Sequence, residues 1–310
     1  MRRTGIWFLQ ISLVALVAWF VWRSVARDAG AFRALSSSIH LRPGWILASA
    51  VSVWAGYAVL IGAWRTIVAG WDRPLGFPVA ARIWCLSNLG RYLPGKVWSV
   101  AGLAVLAQRK GISGWAAGGS AIVMQTVSLA TGALVAAGVL ADAAFASTRI
   151  AVGVLAIGLA AGIVTLLASS SRAFRSVARL AGRDFPAVTL PRAAVVRGTL
   201  ATLAAWVIYG LAFYLLARGT VPAGATVPSL ARSITTFSAG YIVGLVAVLV
   251  PGGLGVREGV LVALLTPTTG GPVAVVLAVA ARLLFTMTEL TAALAALLWS
   301  GTKETRLGAT

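Results

Sequence analysis

Two long apolar segments of this chain are cut by Pro-Gly breaks, and the rest is so apolar that both breaks must be accommodated in a bilayer. A helix needs about 20 apolar residues to cross about 30 Å of hydrocarbon. Uninterrupted runs of that size occur at about 5–22, 45–69, 114–140, 149–169, 199–217 and 273–299. The cut segments are 79–107, broken at Pro94-Gly95, and 231–266, broken at Pro251-Gly252-Gly253. Each half of a cut segment is too short to cross, so both read as re-entrant hairpins that enter and leave on one face. The expected fold is an all-α polytopic membrane protein with about six full spans and two broken helical hairpins. Irregular backbone at membrane depth is tolerated only where protein buries it or where it lines a wet cavity. The breaks are therefore the first place to look for a site.

Mean hydropathy is +0.93 and only 11% of residues are charged, whereas an ordinary soluble domain carries about 25%. No stretch is long and polar enough to fold separately, so the reading is one integral membrane domain over 1–310. The two breaks lie about half a chain apart, and paired Pro/Gly-interrupted segments in corresponding halves point to a transporter-like site at a repeat interface. The halves would be 1–169 and 199–310, related as inverted repeats and joined by a basic loop, 170–198.

The formal charge of +19 is spread between apolar spans. That pattern fits cytoplasmic loops over anionic lipid and argues against a nucleic-acid partner. Arg172, Arg175, Arg179, Arg183, Arg192 and Arg197 face one acid, Asp184, in the central loop. That places the loop in the cytoplasm and, with a hairpin at each break, both termini with it. Arg2-Arg3 before the apolar run 5–22 reads as an uncleaved signal anchor. The expected location is the cytoplasmic membrane of a bacterium. Trp45, Trp71 and Trp115 fall near span ends, as an aromatic belt would.

Cys85 and His40 are the sole residues of their kinds. That count excludes an intramolecular disulfide and a Cys/His zinc site, and leaves one histidine for any Ser-His-Asp arrangement. No catalytic residue, metal or cofactor is expected, and the chain is not read as an enzyme.

Gly90-Arg91-Tyr92-Leu93-Pro94-Gly95-Lys96 matches the first seven positions of a phosphate-binding loop. Val97 stands where a magnesium-holding hydroxyl is needed, and the context is apolar helix rather than strand. ATP binding is rejected on both grounds. As a membrane feature the run means more: Pro94 removes a donor and frees carbonyls, helix N-termini at the break favour an anion, and Arg91 and Lys96 add full charges beside Asn88 and Tyr92. The alternative for both cations is that they snorkel to the surface.

The second break, Pro251-Gly252-Gly253-Leu254-Gly255-Val256-Arg257-Glu258-Gly259, carries two charges into the apolar region. A mid-membrane charge costs about 2.5–3.5 kcal/mol on the lenient scale. Arg257 and Glu258 point about 100° apart on a helix, so each needs its own partner. On the last span Arg282, Thr286 and Glu289 share a face. A crossed pairing of Glu258 with Arg282 and of Glu289 with Arg257 would neutralise all four. The functional alternative leaves one arginine for a phosphate and makes Glu258 or Glu289 a proton-linked carboxylate. Gln125, Ser128 and Thr131 lie on one face of 114–140, where they either line a polar path or bond across helices. Gly240-xxx-Gly244 permits close helix approach.

These residues carry a resemblance. Asn88-Leu-Gly-Arg-Tyr-Leu-Pro-Gly-Lys-Val-Trp98, Arg109-Lys-Gly-Ile-Ser113, Pro251-Gly-Gly-Leu-Gly-Val-Arg-Glu-Gly259 and Arg282 resemble the lysylphosphatidylglycerol synthase transmembrane region family. Its members include the flippase half of the multiple peptide resistance factor and stand-alone flippase-like membrane proteins, some of which act on polyprenyl-linked sugars beside glycosyltransferases. The aminoacyl-transferring members carry a large soluble domain after the membrane part, and this chain stops at Thr310, so the resemblance does not imply lysyl transfer. Many relatives have Pro-Gly-Arg with a nearby acid where this chain has Pro94-Gly95-Lys96 and none.

The expected function is binding of an anionic phospholipid or polyprenyl-phosphate-linked head group and help in moving it across the bilayer. Arg257 and Arg282 would hold the phosphate, with Arg91 and Lys96 receiving it from the cytoplasmic side, and Glu258 and Glu289 completing the site. The hairpin breaks Pro94, Gly95, Pro251, Gly252, Gly253 and Gly255 would shape it. Two rivals stand beside this: a membrane transferase using Glu258 and Glu289, and a non-transporting anchor for a separate glycosyltransferase or lipid synthase.

Overall fold

The computed structural model describes residues 41–92, 97–138, 156, 192–246 and 255–307. Every regular element among them is helical: eight α-helices and one short 3-10 turn. Helix α1 runs from Pro43 to Trp71, with Pro43 in the first turn, where a missing N–H is no loss. Helix α2, Phe77–Asn88, continues into the 3-10 turn Leu89–Tyr92. Helices α3, Val97–Gln108, and α4, Gly114–Ala136, complete the first group. The second group is α5, Arg192–Thr220, α6, Leu230–Val246, α7, Val256–Thr269, and α8, Gly271–Leu307. The same order of lengths, long, short, short, long, thus occurs twice.

Helices α1, α4, α5 and α8 are long and apolar enough to cross a membrane. They coincide with four of the expected runs. Segment 5–22 lies outside the described residues, as does 149–169 apart from Ala156. Helix α5 begins earlier than expected because Arg192 and Arg197 extend it beyond its apolar part, so the basic loop yields its last residues to helix. Large apolar side chains stand exposed along the spans, among them Leu47, Val51 and Trp54 on one face of α1 and Leu294 and Leu298 on α8. A run of that kind suits lipid rather than water.

In each cut segment the described residues form two helices, one on either side of residues that lie outside the description. The arms α2 and α3 have 12 residues each, about 18 Å at the helical rise, well short of a crossing. Arm packs on arm in each: α2 against α3, and α6 against α7. The break residues Pro94, Gly95, Lys96, Pro251, Gly252 and Gly253 lie outside the described residues. Gly255 is described, and its φ of +78° is a conformation that a side chain would strain.

The core sits where α1 and α5, the most extensive helix pair, meet the two cut segments. Trp64, Ile67, Phe213 and Phe237 are fully enclosed there. Gly56 lets α1 approach α5 so closely that a Cβ on it would come within 2.4 Å of the Tyr209 ring. Trp45 is covered by Arg218 at 5.0 Å at one end of α1, and Trp71 lies 5.7 Å from Trp115 at the other. Aromatic residues therefore mark both ends of the span, as the belt reading expects.

Beyond Trp71 the chain is tied down by charge. The Asp72 carboxylate accepts the Ser113 backbone N–H at 2.8 Å and its hydroxyl at 2.7 Å, and Arg73 donates to the Lys110 carbonyl. These bonds join the α1–α2 and α3–α4 connections. The Ser113 N–H, followed by its hydroxyl, holds the Asp72 carboxyl below its ordinary range. A lowered native-state value gives stability that is present above the unfolded-state value of about 3.9 and lost as pH falls through the lower native one. Asp72→Asn is expected to cost about 1 kcal/mol or less, since the site is wet. The gap from wild type should hold steady between about pH 5 and 8 and close below about pH 4, as read by thermal unfolding in detergent.

Candidate functional site

Arg91, Arg257, Arg282 and Glu289, from the two cut segments and α8, converge on one cavity of about 380 Å³, which Glu258 does not line. Arg91 reaches it from the 3-10 turn, Arg257 from the first turn of α7, and Arg282 and Glu289 from α8. Lys96 lies outside the described residues.

Glu289 is held twice. Its Oε1 accepts from Arg91 Nη1 at 2.6 Å, and its Oε2 accepts the Tyr92 hydroxyl at 2.5 Å. Arg91 Nη1 also donates to the Tyr241 hydroxyl at 3.3 Å, so the first cut segment, the second and α8 meet around one guanidinium. Arg91 and Tyr92 are adjacent on the 3-10 turn, and both reach the Glu289 carboxylate on α8. Gly90 permits the turn to lie against α3; a Cβ there would come within 2.7 Å of the Ser99 nitrogen.

Glu258 also works in two directions. Its Oε2 accepts the Gly255 backbone N–H at 2.7 Å, capping α7 from its third position, while Oε1 lies 3.4 Å from Arg282 Nη1. The expected pairing of Glu258 with Arg282 is therefore present. The other half of the crossed arrangement is corrected: Glu289 pairs with Arg91 and not with Arg257, because the 3-10 turn brings Arg91 and Tyr92 onto that carboxylate.

Arg257 has a different environment. Its guanidinium carbon lies 4.8 Å from the Phe237 ring centre, 5.1 Å from Phe285 and 5.4 Å from Tyr241. The residue is only 8% exposed, and its Nη2 has no hydrogen-bond partner among the described residues. Three aromatic faces stabilise the cation by about 0.5–2 kcal/mol in total without satisfying its N–H groups. A buried guanidinium so arranged is a donor in need of an anion.

The close approach of α7 depends on glycine. Gly240 and Gly244 of α6 face Leu261 and Arg257, and a Cβ on Gly244 would fall 2.9 Å from the Arg257 Cβ. Gly244→Ala is expected to push α7 outward and cost about 1–3 kcal/mol through overpacking, measured as a lowered melting temperature with the cage around Arg257 opened.

The polar face of α4 divides. Gln125 and Ser128 line the cavity and its recesses, whereas Thr131 bonds to Thr202 at 3.1 Å and accepts from Trp206 Nε1 at 3.2 Å. Reading the sequence missed the aromatic cage. Its signal was available: Phe237 and Tyr241 are four residues apart on α6, and Phe285 lies between Arg282 and Glu289 on α8.

A sequence profile for the lysylphosphatidylglycerol synthase TM region matches residues 7–302, nearly the whole chain and every residue of this site. The chain belongs to that family. Membership agrees with the resemblance carried by the Asn88–Trp98 and Pro251–Gly259 motifs, and it makes the cavity part of a multi-pass membrane domain with a lipid-related role. A comparison with curated proteins finds no match to the chain. Within the family domain, residues beside the two breaks and on α8 together build the charged cavity.

Proposed function

We propose that the protein binds the phosphate of an anionic lipid head group in this cavity and eases its passage across the bilayer, as a flippase or scramblase. The observation that carries this is Arg257, a buried cation caged by three rings and lining a cavity, whose Nη2 has no hydrogen-bond partner among the described residues. A lipid's tails cross hydrocarbon without cost, and its charged head group sets the barrier. A polar notch with a fixed guanidinium lowers that barrier, and Arg suits phosphate through its planar fork of donors. Arg282 lies beside it, so a phosphate on Arg257 competes with Glu258 for Arg282. Arg91 and Lys96 would pass the head group in from the cytoplasmic face, and the two cut segments would act as re-entrant hairpins of inverted repeats in a bacterial inner membrane. The lipid is a phospholipid or a polyprenyl-phosphate-linked molecule.

The test is lipid mass spectrometry on gently purified protein. Enrichment of one anionic lipid class over the bulk membrane is the expected result. Bulk lipid alone, together with stoichiometric recovery of a soluble glycosyltransferase or synthase, would replace transport with an anchoring role.

A further inference from the structure

Arg91 stands between two anions. Its Nη1 is held by the Glu289 carboxylate at 2.6 Å, yet the route proposed above needs the same guanidinium to carry a phosphate. Two anions on one guanidinium repel, and drawing Arg91 off an ionised Glu289 leaves a buried carboxylate uncompensated. A proton on Glu289 removes both obstacles. Proton and phosphodiester together add no net charge to the site: Arg91 exchanges one anion for the other, and Glu289 becomes neutral. The neutral acid also finds its bonds ready. Tyr92 donates to Oε2 of the carboxylate, and its hydroxyl lies 3.5 Å from Thr286 Oγ1. Turned to Thr286, it leaves its own oxygen to accept the new O–H of Glu289.

Water can bring the proton. A recess of about 50 Å³ adjoins the chamber, and Glu289 lines both. It has room for roughly three water-sized groups, at about 15 Å³ each. The Tyr57 hydroxyl, buried there with no partner among the described residues, can bond one of them, and Asn88 and Ser128 add groups that donate and accept. Of the groups around Glu289, only a carboxylate is left to take a proton. Arg91, Arg257 and Arg282 stay cationic. The phenols of Tyr57 on α1, Tyr92, Tyr209 on α5 and Tyr241 on α6 stay neutral, as does the Cys85 thiol on α2. Glu258 caps α7 and pairs with Arg282 without lining the chamber.

We propose that Glu289 is the proton site of a lipid–proton cotransporter, in which an anionic lipid and one proton bind, cross and leave together. This rests on the phosphate reading above and gives it an energy source, the transmembrane pH gradient. The proton passes from water in the recess to Glu289 Oε2 as the phosphate takes Arg91. It returns to water when the phosphate leaves and the carboxylate takes Arg91 back. Because lipid anion and proton are together neutral, the membrane potential does not drive them.

The experiment uses the full-length protein in detergent and phosphatidylglycerol, whose phosphodiester keeps one negative charge from about pH 5 to 8. Calorimetric titration in buffers of different ionisation enthalpy counts the protons taken up. Binding should take up close to one proton per lipid within that range, so that affinity there rises by up to about tenfold per unit fall in pH. Proteoliposomes supply the second reading. An imposed pH gradient should move head-group-labelled phosphatidylglycerol toward the alkaline side, and a potassium-diffusion potential at equal pH should leave the flux unchanged. Folded Glu289→Gln should bind lipid without proton uptake and lose the response to the gradient. Uptake that persists in that variant, wild-type binding with no uptake anywhere in the range, or flux that follows the potential would each overturn the proposal. The wild-type readings decide it alone if Glu289→Gln fails to fold. Failure of the phosphate reading looks different: phosphatidylglycerol would bind wild type and Arg257→Gln alike at every pH.

Discussion

Arg257→Gln is expected to weaken binding of the anionic lipid by about 10- to 100-fold and to stop transport, while leaving the protein folded. A hydrogen bond to a charged group contributes about 1.5–3 kcal/mol, which corresponds to that range. The effect on folding should be small because two changes oppose each other. The variant loses contact with Phe237, Tyr241 and Phe285, about 0.5–2 kcal/mol. It also relieves the burial of a cation whose Nη2 has no partner among the described residues. The readouts are flux of a head-group-labelled lipid in proteoliposomes and the melting temperature of the same preparation. Arg257→Lys is expected to lie between, since it keeps the charge and loses the planar stack. Normal flux in a folded Arg257→Gln protein would remove Arg257 from the mechanism.

Glu289→Gln should show the opposite balance, a large loss of stability. Glu289 is 7% exposed and Arg91 is 29% exposed. The glutamine amide keeps one acceptor oxygen, which can serve Arg91 or Tyr92 but not both, and it removes the charge that balances Arg91. Breaking a buried pair costs about 3–5 kcal/mol, and the partial exposure of Arg91 places the expected loss near the lower figure. Restoring balance by also removing the cation should recover part of it, so Arg91→Gln in the Glu289→Gln background is expected to cost less than Arg91→Gln alone. Thermal unfolding of the three variants and wild type closes this cycle. Strict additivity would show that the 2.6 Å contact carries no energy.

The positions of the breaks and the residues charged at them could be read from the chain because charge and Pro-Gly stand out against apolar helix. The four described spans were legible for the same reason, length and hydropathy being sufficient. Partner choice was not legible. Arg282, Thr286 and Glu289 were correctly placed on one face by helical spacing. Which cation meets Glu289 depends on where the turn Leu89–Tyr92 meets α8, a contact across 198 positions that helical spacing within one segment does not reveal. Arg257 was expected either to pair with Glu289 or to hold a phosphate, and the rings around it, drawn from two helices, were not foreseen.

The Arg91–Glu289 contact joins residues 198 positions apart in the chain, and this sets an order of events during synthesis. At about 5–20 residues per second, the guanidinium of Arg91 leaves the ribosome roughly 10–40 s before its carboxylate exists. Through that interval the first cut segment has no counter-charge from α8, and an isolated cation is expelled from hydrocarbon. The arms α2 and α3 must therefore linger near the membrane surface as the chain grows. They settle only when the final helix arrives, so the C-terminal span is the element that closes the domain.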